Sequence, residues 1–125
     1  MRPPTVGNIQ GAEIQISRTQ VEDKNQIAMM IDAFRASHPS GVSVIVSGSA
    51  ATPSSVHVGV VDSLVGKGFP KAGDLVNFIS SSTGGRGGGR PHFASGSIGD
   101  PSKISSDETL LRMVTIFFEK KSDSH

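Results

Sequence analysis

Apolar and polar positions change period several times along the chain, and each period predicts an element. Ala12, Ile14 and Ile16 alternate with Glu13, Gln15 and Ser17, the period of two that marks a half-buried strand. Thr19 and Glu22 then stand three apart in the form of a capping box, in which each side chain satisfies a free backbone N–H at a helix start. Ile27, Met30, Ile31 and Phe34 follow at helical spacing, and Ser37, His38 and Pro39 end that stripe. Val42 to Ser47 and Val56 to Val61 are β-branched and alternating, with turn formers from Ala50 to Ser55 between them. That pattern predicts an antiparallel strand pair. Ala72, Leu75, Val76 and Ile79 make a second helical stripe that stops at Ser80 to Thr83. A third runs through Leu110, Leu111, Val114, Phe117 and Phe118, behind a second capping box at Ser105 and Glu108. Lys120 and Lys121 sit at its far end, where cations suit the helix dipole.

The order β, α, β, β, α, loop, α predicts an α/β fold: a single domain, with a mixed sheet of short strands packed against about three helices and a glycine-rich loop before the last helix. Residues 12–121 are expected to form the domain. Residues 1–11, with Pro3, Pro4, Gly7 and Asn8 and no periodicity, read as a flexible leader, and 122–125 as a disordered tail. A chain of 125 residues is long enough for one real core and too short for two.

Composition narrows the chemistry. With no cysteine, disulfides, thiolate zinc sites and a cysteine nucleophile are excluded. The N-terminus lacks the pattern of a secretory signal, and no apolar run approaches the roughly 18 residues of a membrane span. A soluble, cytoplasmic protein without a membrane partner is the expectation. Net charge is +1, so any site for a polyanion has to be a local patch. Between Lys67 and His92 such a patch exists in the sequence: Lys67, Lys71, Arg86 and Arg90 face one acid, Asp74.

Gly84, Gly85, Arg86, Gly87, Gly88, Gly89, Arg90 and Pro91 are the segment whose composition most demands a reason. Glycines leave backbone N–H groups unshielded, so such a loop can press its main chain on a phosphate or a sugar. Arg86 and Arg90 would add charge-assisted bonds to phosphate oxygens. A flexible linker is the competing reading, weakened by the position of the run between two helices inside a compact domain. No Gly-Lys-Ser/Thr ends the run, and it follows a helix and a serine run instead of a strand, so Walker and Rossmann readings fall away.

The stretch Gly84 to Gly96, read as GGRGGGRPHFASG, resembles the glycine motif of the DHHA1 superfamily, closest to the C-terminal domain of alanyl-tRNA synthetase. Lys71-Ala72-Gly73-Asp74-Leu75 is similar to that family's entry into the preceding helix, and the resemblance covers Ile14 to Phe118. It implies a module without catalysis or cofactor that binds the outer corner of tRNA beside synthetase catalytic or editing domains. The site it implies comprises Lys67, Lys71, Gly84, Gly85, Arg86, Gly87, Gly88, Gly89, Arg90, His92 and Ser95. Related phosphodiesterases hold a substrate phosphate with an equivalent loop and carry a histidine where this chain has Pro91. Ser95 stands where the synthetase pattern usually has Gln. A substrate-clamping half of such a phosphodiesterase, and a protein-interaction or oligomerisation module docking through Phe117 and Phe118, remain as alternatives; tRNA, other RNA and DNA are all open as partners.

Catalytic readings find little support in the residues. His38, His57, His92 and His125 are scattered without an Asp-His-His string, so no metal site is expected. His38 is expected at a helix end, His57 on the outer face of a strand and His125 at a frayed terminus. No serine lies in a Gly-x-Ser-x-Gly elbow, and Asp62, Asp74 and Asp100 are isolated acids.

Overall fold

The computed structural model describes residues 5–9, 12–20, 23–37, 41–48, 53–61, 71–89, 93–104 and 107–123. Along them run β1 (Thr5–Ile9), β2 (Ala12–Thr19), α1 (Lys24–Ser37), β3 (Gly41–Gly48), β4 (Pro53–Val60), α2 (Ala72–Ser82), β5 (Gly87–Gly89), β6 (Phe93–Ser97), a 3-10 turn at Pro101–Ile104, and α3 (Asp107–Asp123). The strands form one sheet in the order β1-β2-β3-β4-β6-β5. β2 and β3 are parallel, joined by the α1 crossover, and the remaining pairs are antiparallel. The sheet is mixed, as the element order predicts.

Valine alternation sets the centre. Val42, Val44 and Val46 of β3 pair with Val60, Val58 and Val56 of β4, so period two stacks all six on one face. They join Ile14 and Ile16 of β2, Leu75, Val76 and Ile79 of α2, and Leu110 and Val114 of α3 in the main core. On the opposite face α1 lays Ile27 and Ile31 on Ile45. Gly59 of β4 admits that helix, because a Cβ there would overlap Cγ2 of Ile31. With α1 on one face and α2 and α3 on the other, the sheet is covered from both sides.

Several expectations change in detail. Thr19 does not cap α1: it ends β2, held in register opposite Ser47. The cap is Asp23, whose carboxylate accepts the N–H of Asn25 at 2.8 Å. Glu22 of the first expected capping box and Ser105 of the second lie outside the described residues, while Glu108 is on α3. Residues 5–9 are a strand, where a flexible leader was expected. β1 pairs with β2 from Thr5 opposite Ile16 to Ile9 opposite Ala12, and Gly7 lies so close to α3 that a Cβ would come within 2.7 Å of Leu111 Cδ1. Backbone pairing to an open strand edge, which needs no side-chain alternation, makes this element. At the other end α3 continues to Asp123, past the expected limit of the domain at 121.

Candidate nucleic-acid interface

The site is built where α2 meets the far edge of the sheet. Lys71 is the N-cap of α2, extended at φ −75° and ψ 151°, and makes no side-chain cap. The Lys71 side chain therefore does not close the positive dipole end that a helix start presents. At the other end Thr83 Oγ donates to the carbonyl of Ser80 at 2.7 Å, and the amides of Gly84 and Gly85 return to the carbonyls of Ser81 and Ser80 at 3.1 and 2.8 Å. Gly84 has φ +83°, a left-handed conformation that glycine adopts without a Cβ penalty. The chain thus reverses into Arg86 and runs back beside α2.

Here the glycine tract departs from the expected loop: Gly87–Gly89 form β5, the edge strand, paired antiparallel with β6. The reason is the closeness of α2. A Cβ on Gly87 would overlap Val76 and one on Gly96 would overlap Ser80 Oγ, while a Cβ on Gly73 would stand 2.7 Å from the carbonyl oxygen of Gly89. Glycine on both partners lets helix and strand backbones approach to contact. Ser80 Oγ, fully buried and without a hydrogen-bond partner among the described residues, stands where side chains on Gly87 and Gly96 would otherwise be.

Pairing also sets where the edge points its backbone. The carbonyl of Arg86 accepts the Ser97 amide at 2.7 Å; antiparallel alternation then turns the groups of Gly88 toward Ser95 and directs those of Gly87 and Gly89 away from β6. Along that edge runs an open groove of about 560 Å³, with Lys71, Gly73, Asp74 and Asn77 on the helix wall and Gly87, Gly88 and Gly89 on the strand wall. Lys71 and Arg86 are exposed. A second hollow, of about 590 Å³, lies on the other side of Asp74 and Asn77 and is floored by Phe78 and Phe117.

No family model matches the chain. It is 35% identical over 99 residues to the alanine–tRNA ligase of Geobacillus kaustophilus, a match covering 79% of this chain and 11% of that protein. To the alanine–tRNA ligase of Pseudoalteromonas translucida it is 32% identical over 120 residues, covering 95% of this chain and 12% of the relative. Among solved structures, the C-Ala domain of Aquifex aeolicus alanyl-tRNA synthetase matches with a TM-score of 0.71 at 19% identity, over 89% of this chain and 98% of that domain. The homologues of this chain are alanyl-tRNA synthetases. Its fold is that of the Aquifex C-Ala domain, and the chain spans about one ninth of the length of the matched alanine–tRNA ligases.

Against that synthetase-like frame, the expected site residues separate. Lys71, Gly87, Gly88 and Gly89 come together in the groove. Gly84, Gly85 and Arg86 lead into it. Lys67, Arg90 and His92, with Pro91, lie outside the described residues. Ser95 is not brought to the groove: its hydroxyl bonds Nδ1 of His57 at 2.8 Å, on the sheet face opposite α2. A period of two is the physical reason, since Ala94 and Gly96 take the α2 side and send Ser95 to the other. His57 itself is buried at 2% exposure, not on an outer face. Its Nε2 bonds Ser55 Oγ at 3.0 Å, and Ser55 Oγ bonds Ser47 Oγ at 2.9 Å, so a hydrogen-bonded line crosses β3, β4 and β6. The hydroxyls donate or accept as the ring tautomer requires. Phe93 packs beside Ile27, Ile31 and Ile45 as an anchor. His38 and His125 lie outside the described residues, and among the described ones no three His, Asp or Glu side chains converge on a metal position.

Sequence reasoning passed over Gly73, Asp74 and Asn77 as site residues. For Asp74 and Asn77 the signal was the helical period, which puts them on the exposed face of α2 away from the buried Ala72, Leu75, Val76 and Ile79; Gly73 instead faces the β5 backbone. No described helix is long and apolar enough to cross a membrane.

Proposed function

We propose that this chain is a tRNA-binding module of the synthetase C-terminal type, with no catalysis or cofactor of its own, working in the cytoplasm. The observation that carries this reading is similarity to alanine–tRNA ligases over 79 to 95% of the chain. The groove supplies suitable chemistry: Lys71 and the first turn of α2 offer positive charge, and Gly87 and Gly89 offer backbone donors that no side chain shields. Arg86, exposed just before β5, adds a fork for phosphate oxygens. Lys67, Arg90, His92 and the glycines from Gly84 on extend the candidate surface. A surface of main-chain donors with a few cations reads the shape of a folded RNA, here the outer corner of tRNA, more than its sequence. Beside synthetase catalytic or editing domains, such a grip would help present the acceptor end.

A gel-shift titration with alanine tRNA tests this. Binding is expected at low salt, weakening as salt rises through counterion release, with duplex DNA a poor competitor. Arg86→Ala should lower affinity and reduce the salt slope by about one. Absence of a shift at low salt, or equal competition by duplex DNA, would overturn the proposal.

A further inference from the structure

The hollow between α2 and α3 shares a wall with the glycine groove, and that shared wall suggests what occupies it. Asp74, Asn77, Phe78 and Ser81 stand at i, i+3, i+4 and i+7 on one face of α2. Phe78 and Phe117 lie with ring centroids 5.1 Å apart at an interplanar angle of 32°. Both are half-buried: they pack against the main core on one side and floor the hollow on the other. Asp74 and Asn77 line both spaces, so the divider is one row of side chains thick.

We infer that this hollow is a nucleobase pocket, in which an unpaired base lies on the Phe78–Phe117 pair and turns an amino-bearing edge to Asp74 and Asn77. The inference rests on the RNA-binding reading and adds to it a base-reading subsite next to the backbone grip. An aromatic floor with a polar rim fits the two surfaces of a base, a flat π-face and a hydrogen-bonding edge. An aliphatic ligand would leave the rim unused. Asp74 only accepts hydrogen bonds when ionised, so it favours bases that present amino groups. Ser81 Oγ donates to Asn77 Oδ1 at 3.3 Å, which leaves the Asn77 NH2 group as the donor of that side chain. Ser82 Oγ is committed to the Phe78 carbonyl at 2.8 Å and belongs to the rim as packing. A strand whose sugar-phosphate backbone follows the groove has only to carry its base across the Asp74–Asn77 row to fill the pocket.

The test uses the full chain and short single-stranded RNA: oligouridylate, the same oligomer carrying one A, C or G, and one carrying the fluorescent base 2-aminopurine. Wild type is expected to quench 2-aminopurine as it stacks and to bind the amino-bearing oligomers more tightly than oligouridylate. Phe117→Leu, which keeps apolar packing and loses the ring, should weaken binding on the order of ten-fold and abolish quenching. Asp74→Asn, at an exposed position, should erase the preference for amino-bearing bases, and it carries the test alone if Phe117→Leu does not fold. Unchanged quenching and base preference in both variants, with tRNA binding intact, would overturn the pocket and leave the backbone grip standing. Failure of wild type to bind tRNA at all would remove both.

Discussion

The centre of the sheet and its β5 edge are both covered by α2, yet they are held by opposite means. At the centre Val44, Val58 and their neighbours meet Leu75, Val76 and Ile79 through interlocked side chains. At the edge Gly87, Gly89 and Gly96 meet Gly73, Val76 and Ser80 because side chains are missing. Contacts through side chains bury apolar area and stabilise the fold. Contacts through bare backbone gain little area, but they bring main-chain N–H groups to the surface beside a helix start. The first arrangement makes the domain, and the second makes a place for a polyanion. A glycine run here is a packing device before it is a binding device, which is why composition alone could not separate it from a linker.

The contrast can be broken, and the largest effect is expected at the centre. Leu75→Ala removes a fully buried side chain of α2 and should cost about 2 to 5 kcal/mol, read from urea or thermal unfolding. At the edge, Gly87→Ala and Gly96→Ala each force a Cβ into occupied space and should cost about 1 to 3 kcal/mol. Gly88→Ala is the matched control: a Cβ there meets nothing within 4 Å and the residue has no positive φ, so its effect should stay within about 0.5 kcal/mol. Equal destabilisation by all three glycine changes would count against helix contact as the reason for glycine at Gly87 and Gly96.

The smallest expected effect lies in the turn that ties this edge to α3. Ser102 bonds the carboxylate of Asp100 through its hydroxyl at 2.6 Å and its amide at 3.0 Å, and these bonds hold the Asp100 carboxyl below the usual aspartate range. Because the folded value is depressed, the contribution of this turn is present above the ordinary aspartate range and lost as pH falls through the lower folded value. The Ser102 amide proton, followed by NMR, should titrate with a midpoint below that of a free aspartate. Ser102→Ala should move the Asp100 midpoint back upward, and an unmoved midpoint would count against the hydrogen-bond cause.

Much of the fold was legible because it is written in local periods. The stripes of α1, α2 and α3 and the alternation of β2, β3 and β4 are each contained in one segment, and each element appears within a few residues of its expected place. β1, β5 and β6 were not legible. Gly87-Gly88-Gly89 has no side chains in which a period of two could show, and β1 exists through hydrogen bonds to a partner strand and contact with Leu111. Within the site, the glycine motif and Lys71 were readable as types and spacings. Asp74 and Asn77 were not, since a polar residue on the solvent face of a helix looks the same whether it borders water or a groove.

The sequence by itself determined the helices, the valine-rich central strands and the position of the glycine motif, because propensity and hydrophobic period act over a few neighbouring residues. Only the tertiary structure decided that the motif is an edge strand, that Ser95 turns away to His57, and that two hollows meet along Asp74 and Asn77. Those outcomes depend on which backbone lies beside which, a distance between segments that no local pattern encodes.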